Sequence, residues 1–341
     1  MNEKPPACDF PLDVLSVGDT VIDDFIKLED DMASVEDKGE GQATISMAFG
    51  QKLPFKSSTV LYGVGNAANA SVNFAKLGLK SGVVTNLGND ERGRQVIDTL
   101  HKKDVETCMV KLHSGKKTNY HYVLWYKQDR TILINHEHYT YMWPNLRDIE
   151  VPKWIYFSSV AENAVEYHDE ISNWLADHPE VKMAFQPGTF QIKLGTERLK
   201  KLYEHTELVA LNREEAVQVT GGEYQDINGL LDKMHELGPK IVLMTDGPSG
   251  SYVSDGQNKY FMPIYPDPAP PKERTGCGDA YTSTFVAALI KGHSLESAMQ
   301  LAPITPTNVV QYVGAQEGLL SDDDLKDWLE KAPADYQPRR I

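Results

Sequence analysis

The run Thr275-Gly276-Cys277-Gly278-Asp279 places two glycines and a carboxylate directly before an apolar-periodic segment, Tyr281, Phe285, Ala288 and Leu289, that stops at Gly292. The glycines let the backbone turn tightly and approach a ligand. A helix starting there aims unpaired N–H groups and its positive dipole end at the same point. The natural occupant is a phosphate. Asp279 falls in the first turn, where the dipole favours an ionised carboxylate that can take the proton of an attacking hydroxyl. The competing reading is an acidic residue that only caps the helix.

Other residues must position such a loop. A chain of 341 residues suits one large α/β domain with a small subdomain. The net charge of −15 would repel a nucleic-acid backbone or an anionic membrane surface, so neither is an expected partner. Met1 to Phe10 has no apolar core and no later run approaches a membrane span, so the expected location is cytoplasmic. Cys8, Cys108 and Cys277 have no metal-binding or C-x-x-C spacing and are expected as free thiols.

Strand and helix patterns alternate along most of the chain. Val14 to Val17 and Thr59 to Tyr62 read as strands, Asn66 to Gly78 as a helix, Val83 to Thr85 as a strand and Arg94 to Lys103 as a helix. Strands follow at 154–158, 181–185, 208–211, 241–245 and 251–253, with helices between the earlier ones. A mostly parallel sheet flanked by helices fits this order. Thr118 to Ile134 alternates Tyr120, Tyr122, Leu124 and Tyr126 before a Gln128-Asp129-Arg130 turn, the pattern of a β-hairpin. Residues 10–330 are read as one domain, in which two β-rich inserts, about 35–62 and 105–137, pair with each other as a lid. The tail 331–341 is expected to be weakly structured.

Glu273-Arg274-Thr275-Gly276-Cys277-Gly278-Asp279-Ala280 resembles the late D-x-T-G-A-G-D-A signature of the ribokinase-like, or PfkB, family of carbohydrate and nucleoside kinases. Further motifs agree in order from about Asp13 to Leu320. The resemblance implies a three-layer α/β fold with a small β lid. It assigns substrate hydroxyls to Asp23, five residues after Gly18, although by residue type alone Asp23 also reads as one solvated acid among Asp19 and Asp24. Val64-Gly65-Asn66-Ala67-Ala68-Asn69 resembles the family's G-G-x-x-x-N element, with Val in place of the first Gly, and implies that Gly65 hinges the lid and Asn69 contacts the acceptor. Asn212 and Glu215 match N-x-x-E, implying ATP binding and magnesium held through water, and they read equally as a helix cap. Thr245, Gly247 and Gly250 match the T-x-G-x-x-G nucleotide loop. Glu273 replaces an Asp that helps hold a monovalent cation in some relatives, Pro303 stands at an adenine-facing position, and Gln186-Pro187-Gly188 replaces D-P-N.

The implied activity is ATP- and Mg2+-dependent phosphorylation of a sugar or nucleoside hydroxyl, with potassium a candidate activator. Asp279 would be the base, and the amides of Gly276, Cys277 and Gly278 would hold the phosphoryl charge. A ribosyl acceptor is preferred over a sugar phosphate, because Lys116, Lys117 and Arg130 are the only basic candidates near the hairpin and read as solvated lid charges. The aromatic residues Tyr120, Tyr122, Trp125, Tyr126, Tyr139, Tyr141 and Trp143 could stack a nucleobase or pack the hairpin. Two alternatives are a non-catalytic nucleotide or sugar sensor, and an NAD-dependent oxidoreductase built on Gly63-x-Gly65-x-x-Ala68. The expected assembly is a monomer or a homodimer.

Overall fold

A computed structural model describes residues 9–37, 43–127, 129–147 and 150–341. Its centre is an 11-stranded sheet ordered Arg339–Arg340, Lys259–Met262, Ser251–Ser254, Ile241–Thr245, Leu208–Asn212, Lys182–Phe185, Trp154–Phe157, Val14–Val17, Ser81–Gly88 and Val105–Glu106, with Val110–His113 also on Ser81–Gly88. From Ile241–Thr245 onward every pairing is parallel, and the strands at the other edge are antiparallel. The apolar strands Val14–Val17 and Trp154–Phe157 are buried throughout, as a parallel sheet covered on both faces requires. Leu15 and Val17 pack towards one helical layer with Ile171, Leu202 and Leu230. Val14 turns to the other, with Phe74 and Phe285. The expected three-layer α/β architecture is the observed one.

A second, four-stranded sheet is ordered Asp129–Leu133, Tyr120–Tyr126, Val21–Leu28 and Phe55–Val64. Here the structure corrects the sequence reading. The two inserts do not pair with each other. Val21–Leu28 lies between them, parallel to Tyr120–Tyr126 and antiparallel to Phe55–Val64. Its Val-Ile-Asp-Asp-Phe-Ile pattern hides a strand because Asp23 and Asp24 interrupt the apolar run. Val105–Glu106 and Val110–His113 join the central sheet instead, and Ala33–Asp37 pairs with Ala43–Met47 separately. Gln128 of the expected turn lies outside the described residues. The tail is also better ordered than its polarity suggested. Tyr336 is buried and donates to the Gln300 carbonyl at 2.7 Å, and Arg339–Arg340 pairs with Tyr260 and Phe261. Cys108 is disulfide-bonded rather than free, a link that local spacing could not disclose. Cys277 is a free thiol, and Cys8 lies outside the described residues.

The helices Asn66–Lys76 and Cys277–Ile290 pack against each other through a polar joint. Asn73 Nδ2 donates to Ser283 Oγ at 2.7 Å and Thr284 Oγ1 at 2.9 Å, and Thr284 donates on to Thr305 Oγ1 at 2.9 Å. All four residues are buried, so removing one partner strands the others without water. Asn73→Ala is expected to lower unfolding stability by about 2 kcal/mol, read from urea denaturation, and a loss under about 0.5 kcal/mol would refute this account of the joint.

Candidate active site

Gly276 begins the helix Cys277–Ile290 in the left-handed region at φ 78°. A Cβ there would also sit 2.7 Å from Ala315 Cα, so glycine is required by conformation and by space. At Gly278, by contrast, a Cβ would meet nothing within 4 Å. One turn in, the buried Asp279 carboxylate receives three side-chain amides. Asn66 Nδ2 and Gln186 Nε2 donate to Oδ1 at 2.8 and 3.1 Å, and Asn69 Nδ2 donates to Oδ2 at 2.8 Å. Burial raises the Asp279 carboxyl above its usual range, and these three donors oppose that rise.

Asn66, Asn69 and Asn73 share one helix face at i, i+3 and i+7, so the joint that binds the two helices continues into the site. The polarity of the amides is fixed from outside. Lys103 Nζ donates to Gln316 Oε1 at 2.8 Å, Gln316 Nε2 donates to Asn69 Oδ1 at 2.9 Å, and Asn69 Nδ2 then faces Asp279. An ammonium can only donate, so Lys103 turns Gln316 to present its N–H to Asn69 Oδ1, which leaves the Asn69 N–H facing the carboxylate. Gln316 Nε2 also reaches the Gly63 carbonyl at 2.8 Å.

On the lid side, Asp23 is buried in the strand Val21–Leu28, opposite Leu61 and His121. Gly63 and Gly65 adopt φ values of 69° and 108°, so the two glycines carry the turn and Val64 ends the strand between them. A Cβ on Gly65 would lie 2.7 Å from the Asp19 carbonyl oxygen, which packs the start of the asparagine helix against the Gly18-Asp19 turn. Arg130, expected as a solvated charge, instead reaches down from the lid to 3.4 Å from Glu273 Oε1. Glu273 Oε1 also accepts from the Thr275 amide at 2.7 Å and from the Thr275 hydroxyl. Lys116 does stay on the surface, paired with Glu137 at 3.1 Å.

Across the loop from Asp279 lies a cavity of about 240 Å³, lined by Thr245, Gly247 and Gly250, by Cys277 and Gly278, and by Pro303 among others. Asn212 and Glu215 do not line it. They form a capping box, with Asn212 Oδ1 accepting the Glu215 amide at 2.8 Å and Glu215 Oε2 accepting the Asn212 amide at 2.9 Å. Burial raises the Glu215 carboxyl, and the charges of Glu214 and Asp279 raise it further. Among the described residues no cluster of three or more His, Cys, Asp or Glu side chains could hold a metal directly. Glu215 uses Oε2 in the cap, which leaves its Oε1 outside that hydrogen bond. Burial and Glu273 push the Cys277 thiol up to about 12, so it is not a thiolate at neutral pH.

The structure therefore gathers Gly276, Cys277, Gly278, Asp279 and Asn69 around one carboxylate. Gly65 lies at the edge of that group, and Thr245, Gly247 and Gly250 line the cavity. Asn66, Lys103, Gln186 and Gln316 were not singled out as partners of Asp279. The spacing of the three asparagines was the available signal for Asn66. Gln186 carried only its position in the altered Q-P-G loop. Part of the suggested nucleobase platform is used in packing: Tyr126 donates to the carbonyls of Asp30 and Ala33, Tyr139 to that of Lys117, and Trp143 packs at a tilt beside Tyr167 and Trp174.

Residues 15–322 match the pfkB family of carbohydrate kinases. The chain belongs to this family. It is accordingly a phosphotransferase with a hydroxyl acceptor. The strand before Gly65 pairs antiparallel with Val21–Leu28 in the lid sheet and not within a parallel βαβ unit, so the dinucleotide reading of Gly63 to Ala68 falls. Among its relatives, the ATP-dependent 6-phosphofructokinase of Thermoanaerobacterium thermosaccharolyticum is 24% identical over 95% of this chain and 96% of its own length. The nucleoside kinase of Methanocaldococcus jannaschii is 23% identical over 82% of this chain and 89% of its own. In structure, Arabidopsis thaliana ribokinase complexed with ribose and ATP superposes with a TM-score of 0.75 at 19% identity, covering 94% of this chain and 99% of that one.

Two predictions separate shape from chemistry. Gly276→Ala is expected to lower thermal stability by several degrees through its clash with Ala315, while Gly278→Ala should leave the melting temperature unchanged and cut phosphoryl transfer at least about tenfold. Equal melting temperatures for the two variants would contradict this division. Lys103→Met should reduce kcat by about tenfold without changing the KM for ATP, with recovery in Lys103→Arg, because only a donor holds both amides in orientation. Steady-state kinetics on the three proteins decides it.

Proposed function

We propose that this pfkB-family enzyme transfers the γ-phosphoryl group of ATP to a hydroxyl of an uncharged sugar or nucleoside, with a ribosyl unit as the preferred acceptor. The observation that carries this reading is the placement of Asp279. Its buried carboxylate stands at a helix N-terminus between the cavity lined by Cys277 and Gly278 and the Asn69 side of the lid. A nucleotide fits the cavity with its phosphates towards the first-turn amides, which have no acceptor within the helix.

In the reaction the acceptor oxygen attacks the γ-phosphorus as the bond to the bridging oxygen breaks and ADP leaves. The acceptor proton passes to Asp279. Oδ1 already accepts two hydrogen bonds and Oδ2 only one, so Oδ2 keeps the lone pair that receives it. The amides of Gly276, Cys277 and Gly278 offset charge on the transferring group, a contribution that needs backbone N–H groups and no particular side chain at 277. Magnesium, held through water by Glu215 and Asp279, would neutralise phosphate charge when bound. A potassium ion at Glu273 would compete with Arg130 for the same carboxylate.

Charge on the lid side favours a neutral acceptor. Asp19 and Asp23 are buried there, whereas Lys116 and Arg130 are each engaged by a glutamate. A phosphorylated sugar would meet carboxylates with few free cations to balance it. We place the reaction in the cytoplasm, where ATP is supplied, and no helix among the described residues is long and apolar enough to cross a membrane.

Asp279→Asn is expected to lower kcat by at least about 10²-fold with the KM for ATP little changed. Because burial raises the Asp279 pKa, the base is lost at a higher pH than an ordinary aspartate would be. The acid limb of kcat/KM should accordingly lie above the usual carboxylate range and disappear in Asp279→Asn. Retention of near-wild-type turnover in that variant, across a panel of pentoses, hexoses, sugar phosphates and nucleosides, would sink the assignment.

A further inference from the structure

The amide that reaches Asp279 from Gln186 is itself held by a group that the chemistry described so far does not use. Tyr156 stands on the central strand Trp154–Phe157, in register with Ala184 on the parallel strand Lys182–Phe185. Both side chains belong to the buried cluster that contains Phe74 and Phe285, on the face covered by the helices Asn66–Lys76 and Cys277–Ile290. Gln186 comes two residues after Ala184, and its backbone N–H still donates to the Phe157 carbonyl at 2.8 Å, so strand alternation brings its side chain to that same face. There the Tyr156 hydroxyl donates to Gln186 Oε1, and Gln186 Nε2 donates to Asp279 Oδ1 at 3.1 Å. The Tyr156 ring packs edge-on against Phe74, with centroids 5.6 Å apart.

The orientation of this chain of bonds is decided at both ends. An ionised Asp279 offers only lone pairs, so Gln186 must face it with an N–H, and its Oε1 is left pointing back towards Tyr156. Tyr156 is fully buried, and among the described residues its hydroxyl makes no other hydrogen bond. Burial and the charge of Asp279 hold that hydroxyl well above the ordinary phenol range, so it keeps its hydrogen at neutral pH. A flipped amide would bring Oε1 against the ionised Oδ1 at 3.1 Å, two acceptors with no hydrogen between them. The hydroxyl opposes the flip from the other side, because its hydrogen would lose its buried acceptor. An aspartate or glutamate at 186 would set a second negative charge beside the base, whereas the amide supplies a donor.

We propose that Tyr156 is a positioning residue for the catalytic base: by donating to Gln186 Oε1 it keeps the Gln186 amide turned to Asp279 Oδ1, which leaves Oδ2 to take the acceptor proton. This rests on the kinase reading above and adds to it the side chain that fixes the base from behind. Tyr156 does not line the cavity beside Cys277 and Gly278, and its effect passes through the amide. With the hydroxyl gone, Gln186 can rotate away, and Asp279 Oδ1 is held by Asn66 alone. The carboxylate then spends less time in the orientation that receives a proton, while binding of ATP and acceptor, which precedes the transfer, is unaltered.

The test uses the full chain with magnesium ATP, D-ribose and cytidine as acceptors, and three variants: Tyr156→Phe, Gln186→Leu and the two combined. Tyr156→Phe keeps the ring against Phe74 and removes only the hydroxyl. It is expected to lower kcat about three- to tenfold, with the KM values for ATP and acceptor within about twofold of wild type. Gln186→Leu should lower kcat at least as far. The double variant should match Gln186→Leu within about twofold, because the hydroxyl acts only through the amide. An unchanged kcat in Tyr156→Phe, a loss confined to KM, or effects that multiply in the double variant overturn the proposal. NMR of the side-chain amides in the ligand-free protein gives a reading that needs no turnover. The Gln186 NH2 signals, identified by their loss in Gln186→Leu, should exchange with water at least about tenfold faster in Tyr156→Phe than in wild type, with the Asn69 amide unchanged. Equal exchange in the two proteins overturns the proposal even if a sugar is phosphorylated. If the NMR result is as stated and neither acceptor is turned over, the ribosyl reading fails instead.

Discussion

The contact between the helices Asn66–Lys76 and Cys277–Ile290 is the constraint on which the site depends. One face of the first helix carries asparagine at positions 66, 69 and 73, and the second presents Asp279, Ser283 and Thr284 to it. Two apolar helix faces would slide or rotate by fractions of an ångström at little cost. Directional hydrogen bonds in a buried seam do not permit this, because a misplaced donor loses its partner and gains no water. The seam therefore fixes the axial position of Asp279 relative to the Gly65 turn, and with it the relation of the lid to the helix N-terminus. Asp279 is held by the same kind of bond that holds the helices together, so structural precision and the electrostatic setting of the carboxylate have one origin.

That seam also divides the two sides of the reaction centre. The cavity beyond Cys277 and Gly278 reaches the turn Thr245–Gly250, where Arg213 pins Asp246 at 2.8 Å and so joins that turn to the helix that Asn212 caps. On the lid side, Arg130 meets Glu273, His121 meets Asp23 and His136 approaches Asp19. Charges from the lid are thus answered by charges on the body.

Much of this was legible in the chain. The Gly276 to Asp279 loop, the helix behind it and the strand order around it follow from glycine placement and apolar periodicity, which are local properties. Asp23 could be marked as a ligand candidate, yet the strand that carries it could not be read, because its two acids face opposite sides of a sheet whose neighbours come from distant segments. Asn212 and Glu215 show the reverse case. Residue type allowed a cap and a metal site together, and the structure supplies the cap directly. The parts that Gln186, Gln316 and Lys103 play around Asp279 could not be read, because they lie in which end of an amide points where, a property set by tertiary neighbours. Arg130 looked solvated for the same reason: its partner Glu273 is 143 residues further along the chain.

The close packing of Gly276 against Ala315 bears on when the protein becomes competent during synthesis. The loop that ends in Asp279 is shaped by a segment made later, since Ala315 backs Gly276, the Gly314 amide approaches Glu273 Oε2 at 3.4 Å, and Gln316 orients Asn69. A nascent chain that has emerged only through the helix Cys277–Ile290 possesses every acidic group of the centre and none of this backing. Without residues 314–316 the Gly276 turn would lose the Ala315 wall that shapes it and Asn69 the amide that orients it, so the setting of Asp279 waits on a segment made after the helix that carries it.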